Sequence, residues 1–89
     1  MRHELERILG ESLRYLSIET RERLHLTQKE MGERLHMSES SYSDIETGNS
    51  YCCALTEALL LSMQDDPNEF LYTVKKKFAE WYEREMQTV

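Results

Sequence analysis

Residues 27–48 read TQKEMGERLHMSESSYSDIETG, and this stretch decides the fold. Thr27 and Glu30 stand three positions apart, the spacing of a capping box that satisfies the free amide groups at the start of a helix. Gly32 follows within the same helix and is small enough to let a second helix approach closely. The first half of the stretch therefore predicts a short helix over 28–35.

The second half of the stretch predicts another short helix. Ser38 is suited to capping its start, and Gly48 is suited to the left-handed residue that commonly ends a helix. Tyr42 and Ile45 lie three apart and so share the inner face of that helix. Two capped helices, with the second over 39–47 and a three-residue turn before it, have the layout of a helix-turn-helix.

In this layout the chain resembles phage-repressor-type helix-turn-helix domains, the Cro, lambda-repressor-like and xenobiotic-response-element family of bacterial regulators. The positions that carry the resemblance, in the family's order and spacing, are Arg21, Thr27, Gln28, Gly32, Ser38, Tyr42, Ile45, Glu46 and Gly48. With the flanking helices it covers roughly residues 9–71. The resemblance implies an all-α, compact five-helix domain.

Helical periodicity predicts three further helices around this stretch. The first runs over about 3–23, and its expected buried stripe consists of Leu5, Leu9, Leu13, Leu16 and Thr20. A fourth helix over about 53–63 is expected to close the core with Leu55, Leu59, Leu60 and Met63. Asp66 before Pro67 then favours a new helix start, and the last helix continues to about residue 86.

The last helix carries an aromatic stripe that a small helical core cannot easily cover. Its apolar side is formed by Phe70, Leu71, Val74, Phe78, Trp81 and Tyr82. Either this helix packs back onto the first helix, or its end with Phe78, Trp81 and Tyr82 forms the interface of a homodimer, and both can hold together. The chain is accordingly divided into a helix-turn-helix domain at 1–66 and a C-terminal amphipathic helix at 67–89.

The resemblance also implies a function, sequence-specific binding of double-stranded DNA by a transcriptional regulator. In such domains the second short helix enters the major groove, while neighbouring groups contact the phosphate backbone. The positions that would contact DNA are Gln28, Lys29, Ser38, Glu39, Ser40, Ser43, Asp44, Asn49, Ser50 and Tyr51. The family further implies a structural salt bridge between Arg21 and Glu46.

The charge of the chain opposes this expectation. The 89 residues carry a net charge of -6, and residues 38–66 contain acidic side chains but neither lysine nor arginine. Because DNA affinity depends largely on neutralising phosphates, binding should be weak and salt-sensitive. The alternative function is an acidic protein-interaction module, such as an antirepressor or a regulator's accessory subunit, that does not bind DNA.

Other classes of function find no support in the sequence. It contains no glycine-rich phosphate loop and no histidine at zinc-finger spacing from Cys52 and Cys53, so we expect neither an enzyme nor a metal or cofactor. Adjacent cysteines seldom reach disulfide geometry, which favours free thiols in a reducing cytoplasm. The leucine run at 59–61 is far shorter than the roughly 20 residues that cross a bilayer, so no membrane association is expected.

Overall fold

The computed structural model describes residues 2–87, and within that range it contains five helices and no strand. The helices are α1 Arg2–Arg23, α2 Gln28–Arg34, α3 Glu39–Thr47, α4 Ala54–Ser62 and α5 Pro67–Gln87. The predicted all-α class and helix order are confirmed, and each predicted boundary lies within about one residue of the observed one. None of the helices in this range is both long enough and apolar enough to cross a membrane.

The starts of α2 and α3 have the caps that the sequence predicts. The Thr27 hydroxyl accepts a hydrogen bond from the Glu30 amide at 3.1 Å, and the Glu30 carboxylate accepts one from the Thr27 amide at 2.9 Å. The Ser38 hydroxyl accepts a hydrogen bond from the Ser41 amide at 3.1 Å. These bonds satisfy donors that have no partner within the helices, so local chemistry fixes where both helices begin.

Helices α1 and α2 end in a conformation that the sequence does not predict. Beyond each helix stands a histidine in the left-handed region, His25 with φ 55° and His36 with φ 59°. The amides of Leu26 and Met37 then donate to carbonyls five residues earlier, at 3.0 Å and 2.9 Å, which completes a Schellman motif in each case. Glycine usually occupies this position because other residues pay a conformational cost there.

Helix α2 packs chiefly against α3, and the contact depends on the size of residue 32. A Cβ atom on Gly32 would lie 3.0 Å from the carbonyl oxygen of Met37 and 3.2 Å from that of Ser38. Because both neighbours are backbone atoms, a side chain would push the turn away from α2. The close approach predicted at Gly32 is therefore confirmed.

The core combines residues from all five helices. Its buried cluster consists of Leu13, Met31, Leu35, Tyr42, Leu60, Phe70 and Val74. On α1 the predicted stripe is largely confirmed, since Leu13 and Thr20 are buried and two further leucines of the stripe pack against the cluster. The prediction for Leu55 was wrong because α4 turns Thr56 and Leu60 inward, which leaves Leu55 63% exposed.

Helix α5 packs on α1, so the interpretation that it folds back is confirmed. Phe70, Val74 and Trp81 are buried on its inner side, whereas Leu71 and Tyr82 are each 52% exposed, contrary to the single stripe expected. Trp81 is only 3% exposed within one chain, because it shares the helix side that is covered by the fold. It therefore offers no free surface to a second copy.

Replacing His36 with glycine should stabilise the fold. A left-handed residue with a Cβ atom destabilises the folded state by about 1–2 kcal/mol. Glycine removes this cost, but it loses more conformational entropy on folding, which offsets part of the stabilisation. We expect the free energy of unfolding, measured with urea, to rise by about 0.5 to 1 kcal/mol. His36→Ala is the matched control, since it removes the imidazole but keeps the Cβ atom. A gain in the alanine variant as large as in the glycine variant would contradict this explanation.

Candidate nucleic-acid interface

The orientation of α3 is set by an ion pair that it shares with α1. Arg21 on α1 donates from Nε and Nη2 to the two carboxylate oxygens of Glu46 on α3, at 2.6 Å and 3.1 Å. The Arg21 Nη1 atom also donates to the carbonyl of Leu26 at 3.1 Å. The salt bridge implied by the family resemblance is thus present, with the planar two-bond geometry that only arginine provides.

Glu46 receives further hydrogen bonds from other parts of the fold. The Tyr42 hydroxyl donates to the same carboxylate. Gln28 at the start of α2 also donates to it, from its side-chain Nε2 atom at 3.1 Å. Arg14 on α1 donates to the Glu46 backbone carbonyl at 2.6 Å. Glu46 therefore connects α1, α2 and α3 through polar groups of defined direction.

The charge state of this cluster follows from its partners. Burial by itself raises the pKa of the Glu46 carboxyl, but hydrogen bonds from Arg21, Tyr42 and Gln28 outweigh burial and hold that pKa below its ordinary value of 4.5. Burial raises the pKa of Tyr42, and its bond to Glu46 adds to the rise. At neutral pH the carboxylate is consequently charged and the phenol is neutral.

The opposite side of α3 is open. Tyr42, Ile45 and Glu46 are buried, whereas Glu39, Ser40 and Asp44 are exposed. A shallow concavity runs along this open side, lined by Gln28, Ser38, Glu39, Ser40, Ser43 and Asp44. These six are among the residues expected to contact DNA, and the fold brings them to one surface.

The remaining residues expected to contact DNA lie elsewhere. Lys29 is exposed in the first turn of α2, and Asn49, Ser50 and Tyr51 are exposed in the loop after α3. Ser50 and Tyr51 line a separate depression beside α1, together with Arg14. They are therefore not part of the concavity along α3.

Two α1 residues beside this loop were missed by sequence reasoning. The ring of Tyr51 lies where a Cβ atom on Gly10 would otherwise stand, so the absence of a side chain there lets the loop pack on α1. Arg14 stands over the Tyr15 ring, 5.0 Å from its centre, and also binds α3. An isolated glycine within a helical pattern was the available signal for the first of these contacts.

Two of the backbone amide groups at the start of α2 already have partners. The capping box uses the amides of Thr27 and Glu30, and it brings the Glu30 carboxylate to the helix start. That bond with the Thr27 backbone lowers the pKa of Glu30, so the carboxylate is charged at neutral pH. A DNA phosphate approaching α2 would thus meet the cation of Lys29 beside an anion.

The two cysteines are free thiols, as the sequence predicted, and their surroundings differ. Burial, followed by the nearby Cys53 and Glu57, raises the pKa of the half-buried Cys52 thiol to about 11. Cys53 is exposed, and its contact with the Thr56 hydroxyl at 3.4 Å lowers its pKa. Over residues 2–87 there is no group of three or more histidine, cysteine or acidic side chains that could hold a metal ion.

Comparison with known protein families assigns the class. The family model of a helix-turn-helix domain matches residues 8–61, which is more than half of the chain. The chain therefore belongs to this helix-turn-helix family, and the match is consistent with the lambda-repressor-like fold. No curated protein and no solved structure matches the chain. At a coarse level, a domain of this family suggests a DNA-binding regulator.

Replacing Glu46 with glutamine should destabilise the fold in a pH-dependent way. The change leaves Arg21 without its anion, and breaking one side of a largely buried pair costs about 3 kcal/mol. The lowered pKa of Glu46 means that folding favours its ionised form, so this contribution is present above about pH 4.5 and is lost as the pH falls through the folded-state pKa.

Urea unfolding of both proteins between pH 7 and pH 2 checks this expectation. The difference in unfolding free energy should be largest near neutral pH and shrink in acid. Glu39→Gln makes the same chemical change at an exposed position of α3 and should alter stability by no more than about 0.5 kcal/mol. A difference between wild type and Glu46→Gln that stays constant with pH would show that the ionised carboxylate is not the stabilising form.

Proposed function

We propose that the protein is a sequence-specific DNA-binding transcriptional regulator that inserts α3 into the major groove of double-stranded DNA. The observation that carries the proposal is the open side of α3, whose Glu39, Ser40 and Asp44 are exposed beside Gln28 of α2. An α-helix fits the major groove, and the N-terminal residues of a recognition helix contact the base edges.

The packing of α3 supports this proposal. A recognition helix must hold its side chains in a fixed direction, which is most effective when rigid neighbours brace it. Here Tyr42 and Ile45 anchor the inner side in the core, and Glu46 binds α1 through Arg21. The exposed residues of α3 are thus presented from a firmly held helix.

The electrostatic balance sets the expected strength of binding. The open side of α3 carries the carboxylates of Glu39 and Asp44, and Lys29 on α2 is the cation expected to reach the phosphate backbone. With a net charge of -6, long-range repulsion from DNA is substantial. We therefore expect weak to moderate affinity that falls steeply as salt rises.

Fluorescence anisotropy at about 50 mM salt tests the proposal, using random duplexes and duplexes selected from a library. Selected duplexes should bind in preference to random ones. Lys29→Gln should weaken binding to both alike and reduce the slope of log affinity against log salt by about one. Lys76→Gln on α5 removes the same charge from an exposed position outside the concavity and should change little. No binding to any duplex at low salt would overturn the proposal.

A second candidate function is a protein-interaction module that does not bind DNA. The observation in its favour is that residues 38–66 contain no lysine or arginine, which makes the open side of α3 acidic. Such a surface complements a basic protein surface rather than a polyphosphate. The same titrations separate the two functions, because this candidate requires flat curves with every duplex.

We also propose that the regulator acts as a homodimer through α5. Phe78, Tyr82 and Met86 follow one another at four-residue spacing and so share one side of that helix. Tyr82 and Met86 are 52% and 76% exposed, and Phe78 is half-buried. In a two-fold dimer the paired α3 helices would meet half-sites about 34 Å apart or a multiple of that distance.

Light scattering at high protein concentration tests the dimer. The wild-type protein should have the mass of two chains, and Tyr82→Glu should reduce it to one, since a buried unpaired charge disfavours the interface. Tyr72→Glu places the same charge at a 72% exposed position on α5 and should leave the dimer intact. A monomeric wild-type protein would exclude the dimer without deciding whether α3 binds DNA.

A further inference from the structure

The concavity along α3 has an unusual hydrogen-bonding character, because it offers many acceptors and few free donors. Two of its lining residues, Glu39 and Asp44, contribute exposed carboxylates. An ionised carboxylate accepts hydrogen bonds through both oxygens and donates none. Lysine and arginine, which donate without accepting, are absent from residues 38–66.

Internal hydrogen bonds remove further donors from this surface. The Ser38 hydroxyl donates its hydrogen to the Ser41 hydroxyl at 2.9 Å. Gln28 donates one of its two side-chain amide hydrogens to Glu46 at 3.1 Å. Its second amide hydrogen and its side-chain oxygen remain available to a partner. The side-chain donors that remain among the lining residues are this hydrogen and the hydroxyls of Ser40 and Ser43.

We propose that Glu39 and Asp44 are specificity-determining residues that select cytosine in the major groove. This inference rests on the proposed function, since it requires α3 to enter that groove. Cytosine presents only its N4 amine there, and a glutamate or aspartate carboxylate is the side chain that accepts from it. Adenine also carries an amine, but its N7 acceptor stands beside the amine and repels a carboxylate.

The same groups discriminate against guanine on the contacted strand. Guanine presents the acceptors N7 and O6, which arginine and lysine normally bind. A carboxylate opposite those atoms would lose its hydration without gaining a donor, and the two acceptors would repel each other. Each contacted pair is therefore read as cytosine–guanine in one orientation only. The acidity that weakens attraction to phosphates thus becomes the source of sequence discrimination.

Selection from a random duplex library tests which bases are read. The wild-type protein should enrich duplexes with cytosine at one or more fixed positions of each half-site. Glu39→Gln and Asp44→Asn should each relax the preference at a different position, because an amide both donates and accepts. Glu33→Gln makes the same change on α2 outside the concavity and should return the wild-type motif.

An atomic substitution in the DNA tests the contact itself. The enriched cytosine is replaced by 2-pyrimidinone, which lacks the N4 amine, and anisotropy measures the loss of affinity. We expect the loss to be about 5- to 100-fold with the wild-type protein and with Glu33→Gln. The variant that relaxes the same position should lose far less. Weaker base pairing in the altered duplex affects all proteins alike, so the comparison between variants isolates the contact.

The outcomes separate this inference from the proposed function. Enrichment of guanine on the contacted strand, or a cytosine preference that neither variant relaxes, would overturn the inference while DNA binding stands. Absence of binding to every duplex overturns the proposed function first and the inference with it. Glu39 and Asp44 are exposed, so circular dichroism and thermal unfolding should confirm that both variants fold as the wild type does.

Discussion

The buried carboxylate of Glu46 is the group on which the arrangement of α1, α2 and α3 depends. Removing a charge from water costs several kcal/mol, and only well-directed partners recover that cost. Arg21, Gln28 and Tyr42 supply them from three different helices. Apolar contacts tolerate sliding, whereas these hydrogen bonds do not. The orientation of α3 relative to α1 and α2 is consequently fixed by the direction of these hydrogen bonds and not by apolar packing alone.

Local chemistry made much of the fold predictable. Thr27 and Ser38 cap their helices through atoms only three residues away, so the sequence nearby contains all the information. The left-handed conformations of His25 and His36 could not be anticipated, because histidine carries no preference strong enough to mark a helix end. The exposure of Leu55 depends on which side of α4 meets the core, and that is decided by tertiary packing.

In the candidate site, too, some features follow from the local sequence and others depend on tertiary packing. The family resemblance selects the residues on the open side of α3 by their position. The local helix and its cap bring five of the six lining residues together, and tertiary packing of α2 against α3 adds Gln28. The hydrogen bond from Gln28 to Glu46 joins residues that are 18 positions apart, and the contact of Tyr51 with Gly10 joins a loop to the first helix. Such long-range contacts leave no periodic pattern in a single sequence. They nevertheless decide which hydrogen bonds remain available to a partner.

An acidic recognition helix is consistent with DNA binding when affinity and specificity are treated separately. Affinity for any duplex comes mostly from contacts with phosphates, and we expect this contribution to be small because Lys29 stands beside Glu30. Specificity is a difference between two affinities, so groups that repel the wrong base contribute as much as groups that attract the correct one. In the proposed complex with DNA, the carboxylates of Glu39 and Asp44 lower the affinity for both the correct and the wrong base, but lower it more for the wrong one. Pairing two such helices in a dimer would then restore overall affinity while multiplying the discrimination.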